Sequence, residues 1–160
     1  MKQKKKIIVR QTGDKIVATI IGRNVIARDN LHIIISNEIS HKFILGFLNS
    51  RLTDFYYQQI NPERGEVLAQ VKKGHIEQLL IPKNVSDKQE QEIIKHVDQL
   101  LQLNKDKQNT TLPNQLEMIN NRIEYAERKI NDLVYVFFVG LFGSWLFWFF
   151  FMEVHKIPYP

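Results

Sequence analysis

The first third of the chain alternates between short apolar runs and polar breaks, a pattern typical of β-strands. β-Branched residues dominate three runs, at 7–9, 16–21 and 31–35. Thr12, Gly13 and Asp14 separate the first two runs, and Asp29 and Asn30 precede the third. Because runs of this length bounded by turn residues form strands, the pattern predicts a small antiparallel or mixed sheet.

From residue 38 the apolar period changes from strand to helix. Large apolar residues recur at steps of three and four up to about residue 60, which predicts one helix over 38–60 packed on the sheet. Asn61, Pro62 and Gly65 are expected to end this helix. Further strand signals occur at 67–71 and 78–81, and Pro82 is expected to stop the second of them.

Beyond Pro82 the pattern predicts two helices joined by a short loop at 109–114. Ser86 followed by Gln89 fits a capping box at the start of the first helix. In the second helix one apolar seam recurs at steps of three and four, at Leu116, Ile119, Ile123, Ala126, Ile130 and Leu133. Such a seam is typical of a coiled coil, and the short loop favours an antiparallel pair.

The segment 133–152 contains no charged residue, is rich in phenylalanine and holds both tryptophans. A run of about 20 apolar residues is long enough to cross a bilayer. Three interpretations stay open: a membrane anchor, a core helix covered by a partner, or a non-native ending produced by a shifted reading frame. The expected organisation is a recognition domain at 1–84, a helical spacer at 85–132, the apolar segment at 133–152 and a short tail at 153–160.

Positive charge is concentrated at the amino end. The 160 residues are 44% apolar with a formal net charge of +5, which is compatible with an ordinary core and favours an anionic partner. Eight lysines and arginines stand against Asp14 alone in the first 28 residues, a local charge of +7. The chain has no cysteine, so no disulfide or thiolate metal site is expected, and the cytoplasm is the default location.

Four phrases occur in a fixed order: Arg10-Gln11-Thr12-Gly13 after a basic strand, Leu48-Asn49-Ser50, Ala69-Gln70-Val71-Lys72, and Leu80-Ile81-Pro82. Together they resemble the TaqI-like C-terminal specificity domain of type IIG restriction-modification enzymes and related adenine-N6 DNA methyltransferases. The resemblance covers roughly residues 6–132, and the helix pair looks like the helices that follow recognition domains in type I specificity subunits. It implies an α+β module that recognises a target sequence in double-stranded DNA.

The resemblance places catalysis in a methyltransferase or endonuclease domain, supplied in cis or in trans. Such methyltransferases hold the flipped adenine with an Asn/Asp-Pro-Pro-aromatic motif, and the only similar run, Ile157-Pro158-Tyr159-Pro160, lacks the polar residue and the paired prolines. No glycine-rich loop for a methyl donor and no nuclease-type carboxylate cluster occurs. We therefore expect a non-catalytic specificity module that binds no cofactor.

The candidate DNA contacts fall into three groups. Lysines near the amino end suit phosphate contacts, whereas arginine, asparagine and glutamine can also reach base edges. A second patch is expected around 64–75, although turns of this kind are often polar only because they are solvated. The candidates are Lys4, Lys5, Lys6, Arg10, Gln11, Lys15, Arg23, Asn24, Arg28, Arg64, Lys72 and Lys73.

Other polar residues are interpreted structurally. Asn49 and Ser50 interrupt an apolar helix and are expected to form buried hydrogen bonds at a packing contact. His32 and His41 lack companions at ligand spacing, so no metal site is expected. The competing function is a membrane-anchored helical interaction protein, in which the basic amino end contacts anionic lipid.

Overall fold

A three-stranded antiparallel sheet forms one side of the molecule. The computed structural model describes residues 5–22, 25, 29–63, 65–66, 69–82, 85–142 and 155–156, with the backbone alone for 139–142 and 155–156. Strand β1 (Lys6–Arg10) lies in the middle, between β2 (Ala18–Ile21) and β3 (Leu31–Ile34), and pairs antiparallel with both. The predicted α+β class is confirmed.

The alternation of side chains along β1 separates a core face from a solvent face. Ile7 and Val9 are fully buried, and the register places Ile7 between Ile20 and Ile34. Lys6 and Arg10 occupy the alternate positions on the opposite face. The short β-branched runs therefore pack one side of the sheet and leave its cations on the other.

Two helices replace the single helix predicted over 38–60. Helix α1 (His41–Leu48) ends at Asn49, and α2 (Arg51–Ile60) begins after Ser50, whose hydroxyl accepts a hydrogen bond from the N–H of Thr53 at 3.2 Å. Serine and asparagine bond well to backbone groups at helix ends, so they favour a break over continuation. The expectation of one helix was wrong. The expected hydrogen bonds are present and buried at Ser50, whereas Asn49 is exposed and its hydrogen bonds are only partly buried.

Asn49 closes the free edge of the sheet. Its side-chain amide donates to the carbonyl oxygen of Ala18 and accepts from the N–H of Ala18, both at 2.9 Å. Strand β2 is an edge strand, and an exposed edge offers unpaired backbone groups to other chains. The turn between α1 and α2 therefore satisfies the backbone N–H and C=O of one residue of that edge and joins the end of α1 to the sheet.

The carboxyl-terminal helices α4 (Asp87–Gln108) and α5 (Pro113–Phe142) pack on each other, and α4 packs on α1 while α5 packs on α2. Gly46 of α1 makes the close approach: a Cβ atom there would lie 2.7 Å from Cγ2 of Ile93 and 3.2 Å from Cγ2 of Val97. Helix α1 thus lies between the sheet and the helix pair, and a single apolar core includes residues of all three.

The seam of α5 follows the prediction at Ala126 and Ile130, both buried, and then shifts to Val134 and Phe137 while Leu133 is only partly buried. A straight helix drifts relative to a heptad repeat, which accounts for the shift. The ring of Phe137 lies 6.4 Å from Phe43 and 6.0 Å from Phe47 of α1. The start of the apolar segment is therefore part of the core.

The membrane interpretation concerned 133–152, of which 143–152 lie outside the described residues. The remaining part, 133–142, is the end of α5. Within the described part of the chain, no helix has the length and apolarity needed to cross a bilayer.

Short elements connect these layers. Helix α3 (Lys73–Ile76), which the apolar pattern did not predict, precedes β4 (Leu80–Ile81), and β4 pairs with β5 (His155–Lys156). Of the strand expected at 67–71, residues 67 and 68 lie outside the described residues, and the rest forms one bridge, Thr12 to Gln70.

At the predicted capping box, Ser86 is the N-cap, but its hydroxyl bonds to the Gln89 side chain at 2.6 Å and not to the backbone.

Candidate nucleic-acid interface

The loop that follows β1 is held by backbone hydrogen bonds to two distant segments. Gln11 donates its N–H to the carbonyl of Asn30 at 3.1 Å and accepts from the N–H of Val71 at 2.7 Å. Gly13 donates its N–H to the carbonyl of Ala69 at 2.8 Å. Since each bond spans many residues of sequence, the loop and the segment 69–72 form one ordered surface at the end of the sheet.

Arg10 lies over this loop. Gly13 has a φ of +116°, a backbone conformation that side chains other than glycine rarely adopt. A Cβ atom at Gly13 would meet the Arg10 guanidinium, at 2.8 Å from one terminal nitrogen and 3.6 Å from Cζ. The missing side chain of Gly13 therefore leaves the space that the planar end of Arg10 occupies.

Two lysines border the same surface at the start of α3. Lys72 forms an ion pair with Glu63, and Lys73 lies 3.8 Å from the carboxylate of Glu77. The second carboxylate oxygen of Glu63 accepts the N–H of Gln70 at 3.1 Å. The hydrogen bond from Lys72, and then that from Gln70, lower the pKa of Glu63 below its usual 4.5. Glu63 therefore fixes Lys72 and the backbone beside it.

Tyr57 contacts the segment 70–75 from the core side. The side chain is fully buried, its hydroxyl donates to the carbonyl of Gln70 at 3.5 Å, and its ring meets that of His75 at a centroid distance of 5.8 Å. Burial, with smaller contributions from the charges of Glu63 and Asp14, raises the pKa of Tyr57 to about 12. Tyr57 is therefore a neutral structural support for the segment at neutral pH.

The structure brings five of the predicted residues to one end of the sheet: Arg10, Gln11 and Lys15 on or after β1, and Lys72 and Lys73 at α3. Lys6 and Lys5 lie towards the other end of β1, with Lys6 about 13 Å from Arg10 at 3.3 Å per residue. Lys4, Arg23, Asn24, Arg28 and Arg64 lie outside the described residues. Among the residues that the structure describes, the predicted cations are thus divided between the two ends of the sheet.

Sequence reasoning missed Gly13, Glu63 and Tyr57 as parts of this surface. Gly13 stood in a turn signal, but the pattern does not show that the turn carries Arg10. Tyr57 belonged to the helix predicted over 38–60 and Glu63 to the segment expected to end it, and their contacts with Gln70 and Lys72 depend on the tertiary fold. These three residues order the surface without adding positive charge to it.

Comparison with models of known protein families identifies the family of the chain. The model of the TaqI-like C-terminal specificity domain matches residues 1–82, which span β1 to the end of β4. The chain belongs to this family. The specificity domain thus includes the sheet, α1 to α3 and the surface described above, while α4 and α5 follow it. No curated protein and no solved structure matches the chain significantly.

Proposed function

We propose that this specificity domain binds double-stranded DNA and recognises the target sequence of a type IIG-like restriction-modification system. The observation that carries the proposal is the family match over 1–82. The end of the sheet at Arg10, Gln11, Lys15, Lys72 and Lys73 is the proposed contact surface, because it gathers groups that can bond to phosphates and to base edges. Lys5 and Lys6 are proposed to contact phosphates further along the duplex, and Lys4, Arg23, Asn24, Arg28 and Arg64 remain proposed contacts.

Summed charge alone is a weak support for this surface. Asp14, Glu63 and Glu77 lie among its cations, and two of these carboxylates pair with Lys72 and Lys73. Exposed ion pairs reduce the field that a phosphate experiences, so the +7 of the amino end overstates the attraction at this end of the sheet. What favours recognition is the hydrogen-bonded loop with Arg10 lying over it, since fixed donors distinguish base edges better than mobile ones do.

The helix pair is proposed to set the position of a catalytic domain. Helix α1 contacts the sheet on one side and α4 on the other, so the orientation of the pair is coupled to that of the recognition surface. We propose that 1–84 contacts DNA, that 85–132 acts as the spacer, and that methyl transfer or cleavage belongs to another domain, in cis or in trans. The methyl donor would bind that domain.

Salt-dependent binding tests the DNA proposal. The purified chain is titrated against a labelled duplex pool of random sequence, and anisotropy is followed between about 50 and 200 mM salt. The variant Lys72→Ala/Lys73→Ala should bind more weakly, with a salt slope smaller by up to about 2, since each lost phosphate contact removes about 1. The control Lys95→Ala/Arg122→Ala removes the same charge from exposed positions of α4 and α5 and should bind like the parent.

Two results would contradict the proposal: no retention of duplex at the lowest salt, or equal losses in both double variants. A second assay addresses catalysis. The chain alone should transfer no methyl group to duplex DNA from a labelled donor, and transfer should depend on an added methyltransferase domain. Transfer by the purified chain alone would place catalysis within these 160 residues.

A further inference from the structure

The contact between Arg10 and Gly13 has a consequence that rests on the proposed DNA binding and deepens it. We infer that Gly13 is a positioning residue, which holds the Arg10 guanidinium over the loop in the orientation that contacts duplex DNA. Charge alone would make Arg10 one cation among several. Its placement over a backbone without a side chain gives the planar group a position above the loop, and a planar guanidinium binds phosphate or guanine with two parallel hydrogen bonds.

The atoms that a Cβ would meet establish the contact. The three nearest neighbours of that position are all guanidinium atoms of Arg10: a terminal nitrogen at 2.8 Å, Cζ at 3.6 Å and Nε at 3.7 Å. A real Cβ does not approach another atom as closely as 2.8 Å, so alanine at 13 would displace the guanidinium. No backbone atom is among these neighbours, and the flexible arginine is therefore what moves.

The loop beneath Arg10 is itself fixed. The N–H of Gly13 bonds to Ala69, and the backbone of Gln11 bonds to Asn30 and Val71. These bonds tie both sides of the loop to segments that the core holds, since Val71 is fully buried. A side chain supported in this way loses less conformational entropy when it binds, which is the benefit of preorganisation.

Lys72 and Lys73 contrast with Arg10. Each of these lysines lies beside a carboxylate, and an ammonium is a point charge that imposes no plane on its partner. We therefore assign Arg10 the orientation-dependent contact and leave the sequence-independent phosphate contacts to the lysines. This division makes Gly13 matter for DNA binding even though it has no side chain.

Gly65 provides a control for backbone strain. It also has a positive φ, +78°, and no atom lies within 4 Å of the position that a Cβ would take. Gly65→Ala therefore strains the backbone without displacing any side chain. Gly13→Ala strains the backbone and displaces Arg10. Arg10→Lys keeps the charge and removes the planar group, without any change to the loop.

The test measures affinity for the random-sequence duplex pool at one low salt concentration. Arg10→Lys and Gly13→Ala should each weaken binding at least about fivefold, the lower end of the range for a lost arginine contact. Gly65→Ala should bind like the parent. Since Gly13 acts through Arg10, Gly13→Ala/Arg10→Ala should bind no more weakly than Arg10→Ala alone. Circular dichroism verifies that each variant is folded.

Nuclear magnetic resonance of the arginine side chains supplies a readout that needs no DNA. The Nε–H group of Arg10, assigned by its loss in Arg10→Lys, should be rigid on the nanosecond scale in the parent and in Gly65→Ala. In Gly13→Ala it should become mobile. This measurement applies even to a variant that binds DNA weakly for other reasons.

The outcomes separate the two proposals. If the parent binds duplex DNA in a salt-dependent manner but Gly13→Ala binds equally well, the role of Gly13 is refuted and the proposed function stands. Losses that multiply in the double variant, or an Arg10 Nε–H group that is mobile in the parent, refute it as well. If the parent binds no duplex, the proposed function fails and this inference fails with it.

Discussion

Replacing Gly46 by alanine tests how the helix pair is joined to the specificity domain. Gly46 lies within the matched residues 1–82, whereas Ile93 and Val97, its neighbours across the contact, lie in α4. The new Cβ would lie 2.7 Å from Cγ2 of Ile93, although carbon atoms pack at about 3.5–4.0 Å. To relieve this overlap, α1 and α4 must separate by roughly 1 Å, although they pack closely.

The magnitude follows from two opposing effects. Ile93 and Val97 are 0% and 3% exposed, so neither can move aside into solvent. Adding a methyl group to such a core costs about 1–3 kcal/mol, while alanine is about 1 kcal/mol better than glycine within a helix. Because a separation of 2.7 Å is far inside van der Waals contact, the cost lies in the upper part of its range, and we expect Gly46→Ala to lower the free energy of unfolding by about 1–2 kcal/mol.

Urea unfolding followed by far-UV circular dichroism measures this change. Gly74→Ala is the matched control, because Gly74 is also helical and no atom lies within 4 Å of the position that its Cβ would take; it should lose no stability. Ile93→Leu moves the branch point away from Cβ and removes Cγ2, so Gly46→Ala/Ile93→Leu should be more stable than the sum of the single changes predicts. Full stability of Gly46→Ala, or no recovery in the double variant, would refute the proposed close contact.

Three further variants test other parts of the structure. Asn49→Ala should lower the free energy of unfolding by about 1–2 kcal/mol, because it removes both hydrogen bonds to Ala18; thermal unfolding measures the loss. Tyr57→Phe should reduce the fall in stability between pH 10 and about 12. The pKa of Tyr57 in the folded state is raised to about 12, so its contribution to stability is fully present below pH 10 and disappears as Tyr57 ionises. Urea unfolding across this pH range measures the change. Glu63→Gln should raise the affinity for duplex DNA by freeing Lys72 from its ion pair; anisotropy measures the change.

Each of these expectations has a contradicting result. Unchanged stability of Asn49→Ala would mean that water replaces its bonds at no cost. Equal alkaline profiles for Tyr57→Phe and the parent would exclude Tyr57 as a source of the decline. Weaker binding by Glu63→Gln than by the parent would show that its ordering of the segment 69–72 outweighs the charge that it neutralises.

Strands β1 to β3 and helices α4 and α5 were predictable because the spacing of their apolar residues is visible in the sequence. Ile7 and Val9 alternate with Lys6 and Arg10, and this alternation becomes the two faces of β1. The stripe of α5 through Ala126 and Ile130 likewise becomes its buried face. Local patterns of this kind report which side of an element is buried, and they do so without knowledge of its neighbours.

The break between α1 and α2 was not predictable from periodicity. Asn49 bonds to Ala18, 31 residues earlier in the chain, so the energy that favours the break comes from the tertiary fold. Helix α3 has only four residues, too few to show a period. The candidate site divides in the same way: its charged residues were visible in the sequence, but the support of Arg10 by Gly13 and the pairing of Lys72 with Glu63 were not.

Mapping the contact surface by nuclear magnetic resonance tests the proposed recognition surface most directly. Backbone amide signals of the labelled chain are followed as a random-sequence duplex pool is added at low salt. We expect the largest shifts at residues 10–15 and 70–73, and none at the exposed positions near the connection between α4 and α5. An unchanged spectrum, or shifts confined to that connection, would contradict DNA binding by this end of the sheet.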